Sequence, residues 1–149
     1  MAIYQTKYIT RVRNFAQPDD SDIDLSPVDI DFPTAALLVN DIIQLVEIPA
    51  GVTLQNYNFH FPKIDSSGAP TLAFSFGVLN ALGTDLATVY STGIIAGQTN
   101  AVVNNTNTDC AQDFANNVLS RKIGLKVTAA CATYGGAGKV GQFIVQQRG

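Results

Sequence analysis

From Asp41 to Phe61 the chain reads D-I-I-Q-L-V-E-I-P-A-G-V-T-L-Q-N-Y-N-F-H-F, its longest nearly continuous apolar block, interrupted once by Pro49-Ala50-Gly51. Proline presets φ for the second position of a β-turn and glycine suits the fourth, so the block predicts strand, tight turn, strand. Within it the apolar parity changes: Val52 and Leu54 are even, whereas Tyr57, Phe59 and Phe61 are odd. A one-residue slip would turn the aromatic set to the wrong face, so a bulge or a passage between sheets is predicted near Gln55 and Asn56. Upstream, Val28, Ile30 and Phe32 alternate with Asp29 and Asp31, the pattern of a strand with one buried and one wet face, and Pro33 ends it. Thr34 to Asn40 is a short connection.

Downstream, Lys63 to Pro70 is a turn cluster, and Leu72, Phe74, Phe76 and Val78 alternate with Ala73, Ser75 and Gly77 as a strand. From Asn80 to Asn107 the apolar residues thin out among Gly, Ser, Thr and Asn, which predicts a long connection with one or two short strands. Cys110 to Leu119 allows one or two helical turns, with Thr108 or Asp109 as N-cap. Ile123, Leu125, Val127, Ala129 and Cys131 form an alternating strand against Lys122, Lys126 and Thr128, and a T-Y-G-G-A-G turn follows. Lys139 to Gln147 returns as a strand whose Val140, Phe143, Ile144 and Val145 fall on both parities, suiting a central strand covered on both faces.

The N-terminal residues 3 to 12 place Tyr4, Thr6, Tyr8, Thr10 and Val12 on one parity and Gln5, Lys7 and Arg11 on the other, a thinly apolar β pattern. It fits an edge strand, or an arm that pairs outside its own domain. Residues 17 to 24, Q-P-D-D-S-D-I-D, favour a loop and form a natural hinge. The chain therefore divides into an N-terminal arm and acidic hinge, 1–26, and a β-sandwich domain, 27–149. About seven short strands and little helix predict an all-β fold, an antiparallel β-sandwich or jelly roll with an extended N-terminal arm.

Composition narrows the function more than the fold. A folded chain of 149 residues buries roughly 70% of the surface its unfolded form exposes, enough core without staples. The net charge is only −3, and no basic cluster is present to gain from counterion release, so nucleic acid is not a predicted partner. The most apolar run, Thr34 to Val52, contains Asn40, Asp41 and Glu47 and does not predict a membrane span. Lys7, Arg11 and Arg13 have no apolar core behind them, so no signal peptide is predicted and the chain is expected to be soluble and intracellular when made. Cys110 and Cys131 are too few for a disulfide framework and are expected as free thiols, Cys131 facing inward.

No candidate chemistry survives comparison with a simpler explanation. His60 shares its parity with Asn56 and Asn58, and no nucleophile motif accompanies it, so it is expected on a solvated sheet face. One histidine and two distant cysteines do not make a zinc site. Asp19, Asp20, Asp22 and Asp24 lack the central glycine and terminal glutamate of a calcium loop. Gly135 to Lys139 superficially matches a phosphate loop, but Thr133 and Val140 stand at two required positions, and a hairpin turn is expected. Asn104-Asn105-Thr106 matches a glycosylation acceptor, which matters only on a secretory route. Tyr57, Phe59 and Phe61 would stack on sugar rings only if exposed; without tryptophan they are expected in the core. An enzyme is not predicted, nor any cofactor.

The segment Asp41 to Leu54, a strand closing at Ile-Pro-Ala-Gly and followed by a second strand, resembles a pattern of small structural proteins of tailed bacteriophages. Ile123 to Gln147, with Val127-Thr128-Ala129-Ala130, a Gly-Ala turn, Gly138-Lys139 and a last strand, is similar to the closing hairpin of those proteins. The resemblance covers about residues 28 to 147. It implies a head decoration, or cement, protein: non-enzymatic, a homo-oligomer and often a trimer, bound to the major capsid protein on the outer capsid surface of the virion, and made in the host bacterial cytoplasm. The arm lies outside the match. Its Tyr4, Lys7, Tyr8, Arg11 and Arg13 are the expected partner-contact residues, suited to adding a strand to a neighbouring subunit. The alternative is a host-adhering or carbohydrate-binding β-sandwich of a phage tail or fibre.

Overall fold

A computed structural model describes residues 1–10, 23–104 and 118–148. Its strands are β1 (Ile3–Gln5), β2 (Ile23–Asp31), β3 (Ile42–Ile48), β4 (Thr53–Phe61), β5 (Ala73–Leu79), β6 (Leu86–Ile94), β7 (Ala101–Asn104), β8 (Arg121–Ala129) and β9 (Val140–Arg148). One sheet has the order β1-β3-β8-β5-β6, and the other β2-β9-β4-β7.

The pairing has a simple logic. β2 pairs with β9, β3 with β8, β4 with β7 and β5 with β6, all antiparallel. These are nested pairs of one long double ribbon. Successive pairs alternate between the two sheets, and winding the ribbon up adds the contacts β4 with β9 and β5 with β8. This is a jelly roll, one of the two architectures expected from the strand pattern. β1 stands outside the ribbon and pairs in parallel with β3, Ile3 lying opposite Ile42 and Gln5 opposite Gln44.

The core lies between the sheets and is dominated by aromatic rings. Tyr57, Phe59 and Phe143 from one sheet meet Phe74 and Phe76 from the other, all buried. Phe76 sits 4.3 Å from Tyr57, 5.3 Å from Phe59 and 5.4 Å from Phe143 between ring centroids, and Phe59 stacks on Phe143 at 5.1 Å. The parity change in β4 is a bulge between Leu54 and Asn56, at the expected place. It lets Leu54 and the odd-numbered aromatic residues face the same core.

The apolar block of residues 41–61 is strand, tight turn, strand, as expected, and its two strands lie in different sheets. Four expectations change, the first in that turn. There Val52 N–H donates to the Pro49 carbonyl, so Pro49 is the first turn residue and Gly51, at φ +81°, the third, a left-handed position that glycine occupies without strain. Likewise β8 and β9 lie in different sheets, and the glycine-rich stretch between them is a crossover instead of a hairpin turn. β9 is central, as expected, but is buried on one face only: Phe143 and Val145 point inward while Val140 is exposed. Finally, the weak region after Asn80 contains a nine-residue strand, β6, at a sheet edge where only Tyr90 and Ile94 are buried. Cys110 and almost all of the helical turns expected over Cys110 to Leu119 lie outside the described residues.

β6 follows a path with three register shifts against β5. Gly77 makes this possible, since a Cβ there would stand 1.9 Å from the Thr88 carbonyl oxygen. β3 is buried almost throughout because its outer side is covered as well, the Gln44 side chain reaching the Gly83 carbonyl in the β5–β6 connection.

Candidate interaction surface

The N-terminal segment crosses from one sheet to the other. Ala2 N–H donates to Asp41 Oδ1 at 2.6 Å, and the Ala2 carbonyl accepts from Ile42 N–H. Gln5 Nε2 donates to Gln44 Oε1 at 2.9 Å, Thr6 N–H to the Gln44 carbonyl, and the buried Thr6 hydroxyl to the Leu45 carbonyl. The strand then stops, and residues 7–10 form a turn in which Ile9 and Thr10 N–H donate back to the Thr6 carbonyl. Strand pairing of this segment is therefore shorter than the alternation over residues 3 to 12 implies.

Of the expected partner-contact residues, Tyr4 is half-buried and packs against the core. Burial, with the Asp41 charge, pushes its hydroxyl pKa up. Lys7 pairs with Asp31 at 3.0 Å and the Tyr8 hydroxyl donates to the Pro27 carbonyl at 3.0 Å, so both are turned onto β2. Such an exposed pair contributes about 0–1 kcal/mol. Arg11 and Arg13 lie outside the described residues.

Asp41 was not singled out by sequence reasoning, yet it organises this corner. Its side chain is buried, Oδ1 holding Ala2 and Oδ2 accepting Leu38 N–H at 2.8 Å. The clamp gathers exposed apolar side chains at one place: Met1 is 66% exposed, Ile3 41%, Leu38 59% and Val39 48%. Two other surfaces stand out. The outer face of the four-stranded sheet is rich in amides, with Asn56, Asn58 and His60 on β4 opposite Gln142, Ile144 and Gln146 on β9. His60 is thus on an outer sheet face with the two asparagines, as its parity implies. An open groove of about 380 Å³ lies at the end of the other sheet, between Glu47, Val78, Leu79, Leu119 and Lys122.

The strongly perturbed titratable groups are structural. Asp65 is fully buried, and its Oδ1 accepts from Ser67 and Thr133 N–H while its Oδ2 accepts from Thr71, Leu72 and Ala132 N–H, at 2.8–3.3 Å. Burial alone raises a carboxyl pKa, but the N–H donors of Thr71, Ala132, Thr133 and Ser67 outweigh it and hold Asp65 well below the usual range. The carboxylate ties the β4–β5 connection to the β8–β9 crossover. Beside it, burial and the Asp65 charge push the half-buried free thiol of Cys131 up to about 11, so it stays protonated at neutral pH and is a poor nucleophile. Burial, with Cys131 and Tyr4 nearby, raises Tyr134 to about 12. Sequence signals for Asp65 existed only in the Asp-Ser-Ser-Gly turn chemistry. Among the described residues no group of three or more His, Cys, Asp or Glu could hold a metal ion, and no helix is long and apolar enough to cross a membrane. Tyr57, Phe59 and Phe61 are core residues, so they offer no platform for sugar stacking.

No family model and no curated protein matches this chain. Two solved structures share its fold. A chain from the capsid of Ralstonia phage GP4 superposes with a TM-score of 0.81 at 24% identity, covering 99% of this chain and 97% of that one. A chain from the cyanophage Pam1 capsid asymmetric unit gives a TM-score of 0.58 at 14% identity, covering 91% of this chain and 93% of that one.

Proposed function

We propose that this chain is a non-enzymatic structural protein of a tailed-phage virion, a decoration or cement protein that binds the outside of the head and stabilises it. The observation that carries this reading is the agreement in fold, over nearly the whole length of both chains, with a chain of a phage capsid. The sequence pattern at Asp41 to Leu54 and at Ile123 to Gln147 supports it independently. In this reading the partners are the major capsid protein and further copies of the same chain, as a homo-oligomer, most simply a trimer, on the outer capsid surface after synthesis in the bacterial cytoplasm.

The mechanism is thermodynamic. A protein that binds the assembled shell and not its separated subunits stabilises the shell by RT ln(1 + [L]/Kd), about 2.7 kcal/mol per site at a hundredfold excess over Kd. The amide face around Ile144 supplies many hydrogen-bonding groups, with the Asp29 carboxylate of β2 beside it accepting from Gln142, which suits repeated contacts on a crowded lattice. Heads assembled without the protein are expected to release their DNA at a lower temperature than heads to which it has been added back. Equal release temperatures would contradict the stabilising role.

A further inference from the structure

We propose that the segment Ala2 to Tyr8 is exchanged between copies of this chain, each copy laying it on the β3 edge of a neighbour. The inference deepens the homo-oligomeric part of the reading above and rests on it.

The occupant is identified by the groove. Every group that receives the segment is matched to this sequence: Asp41 to Ala2 N–H, Gln44 to the Gln5 amide, the Leu45 carbonyl to the Thr6 hydroxyl, Asp31 to Lys7 and the Pro27 carbonyl to the Tyr8 hydroxyl. An identical segment from a second copy makes identical contacts, which is why exchange of a terminal element is a low-cost route to an oligomer. Two features favour the neighbour as donor. β1 is the parallel strand added outside the nested antiparallel ribbon, so its exchange leaves all four ribbon pairs within one chain. The exposed apolar side chains Met1, Ile3, Leu38 and Val39 are gathered where the segment attaches. In a single copy they face water; exchange brings a second copy to that corner to cover them. Residues 11 to 22, twelve positions between the turn at 7–10 and β2, have an upper reach of roughly 40 Å when fully extended.

Cysteine trapping tests this. Gln5 and Gln44 are opposite in the register and their side chains touch, so a cysteine at each is placed to form a disulfide. In a background carrying Cys110→Ser and Cys131→Ala, a Gln5→Cys chain is co-expressed with a Gln44→Cys chain, and the purified protein is oxidised, run on a non-reducing gel and weighed by light scattering. A covalent dimer between the two chains is expected, and a Gln5→Cys/Gln44→Cys chain is expected to give covalent oligomers. The same readout with Ile3→Cys and Ile42→Cys, another opposed pair, guards against misfolding of one variant. An oligomer by mass whose disulfides form only within chains overturns the exchange and leaves the oligomer standing. A monomer by mass overturns both the exchange and the homo-oligomeric part of the proposed function.

Discussion

Replacing Asp65 with alanine is expected to destabilise the fold by about 3–5 kcal/mol, because five backbone N–H groups lose their acceptor together and each buried unsatisfied group costs on the order of 1–3 kcal/mol, some being recovered by water. In a chain of this size, that corresponds to a fall in Tm of roughly 10 °C, measurable by circular dichroism or calorimetry. Asp65→Asn is expected to recover little, since one of the two oxygens becomes an NH₂ that points donors at donors. The pH dependence has a definite sign. The folded protein holds this carboxyl well below its usual range, so below about pH 4 the unfolded chain binds the extra proton and the folded one does not. Its contribution is complete above pH 5 and drains away as the pH falls towards 2. The stability of the Asp65→Asn variant should therefore fall less steeply over that window than the wild type does. Parallel curves would show that Asp65 is not the group responsible.

Phe76→Ala is expected to cost about 3–5 kcal/mol, the usual range for deleting a fully buried ring. Phe76 is where the two sheets hold each other: its ring meets Tyr57, Phe59 and Phe143 across the core and Tyr90 beside it. Loss of the ring removes the transfer free energy and leaves a cavity whose walls are strands, which relax poorly. Urea unfolding should show a lower midpoint with an unchanged slope, as expected when stability falls without a change in the surface exposed. A cost below about 1 kcal/mol would mean that the core collapses around the gap and that this aromatic contact does not hold the sheets together.

Strands with one dry and one wet face were legible because period-two alternation is a direct imprint of burial. Val28 to Phe32, Leu72 to Val78 and Ile123 to Ala129 all lie in or against strands at those positions, and the parity slip in β4 placed an irregularity near Gln55 and Asn56, where the bulge lies. Alternation carries no information about which sheet a strand joins. The apolar run Ile42 to Val46 and its successor look like hairpin partners although the chain crosses the sandwich between them, and the same holds for β8 and β9. β6 was expected only as a short strand because an edge strand that buries only Tyr90 and Ile94 keeps no sustained apolar rhythm. At the candidate interaction surface, Tyr4 and Tyr8, expected as partner-contact residues, pack against this chain's own core. The residues that organise the corner and the crossover, Asp41 and Asp65, add to their local turn bonds backbone N–H donors distant in sequence, Ala2 for Asp41 and Ala132 and Thr133 for Asp65, and no local pattern records those pairings.

The role proposed for this jelly roll stands on its likeness in fold to chains of phage capsids, and copy number is where that role differs most sharply from a tail or fibre role. Quantitative mass spectrometry of purified virions, counting this chain against the major capsid protein, tests it most directly. A ratio comparable to that of the capsid protein is expected for a decoration protein covering the head. A ratio far below it, or absence from the particle, would contradict the proposal.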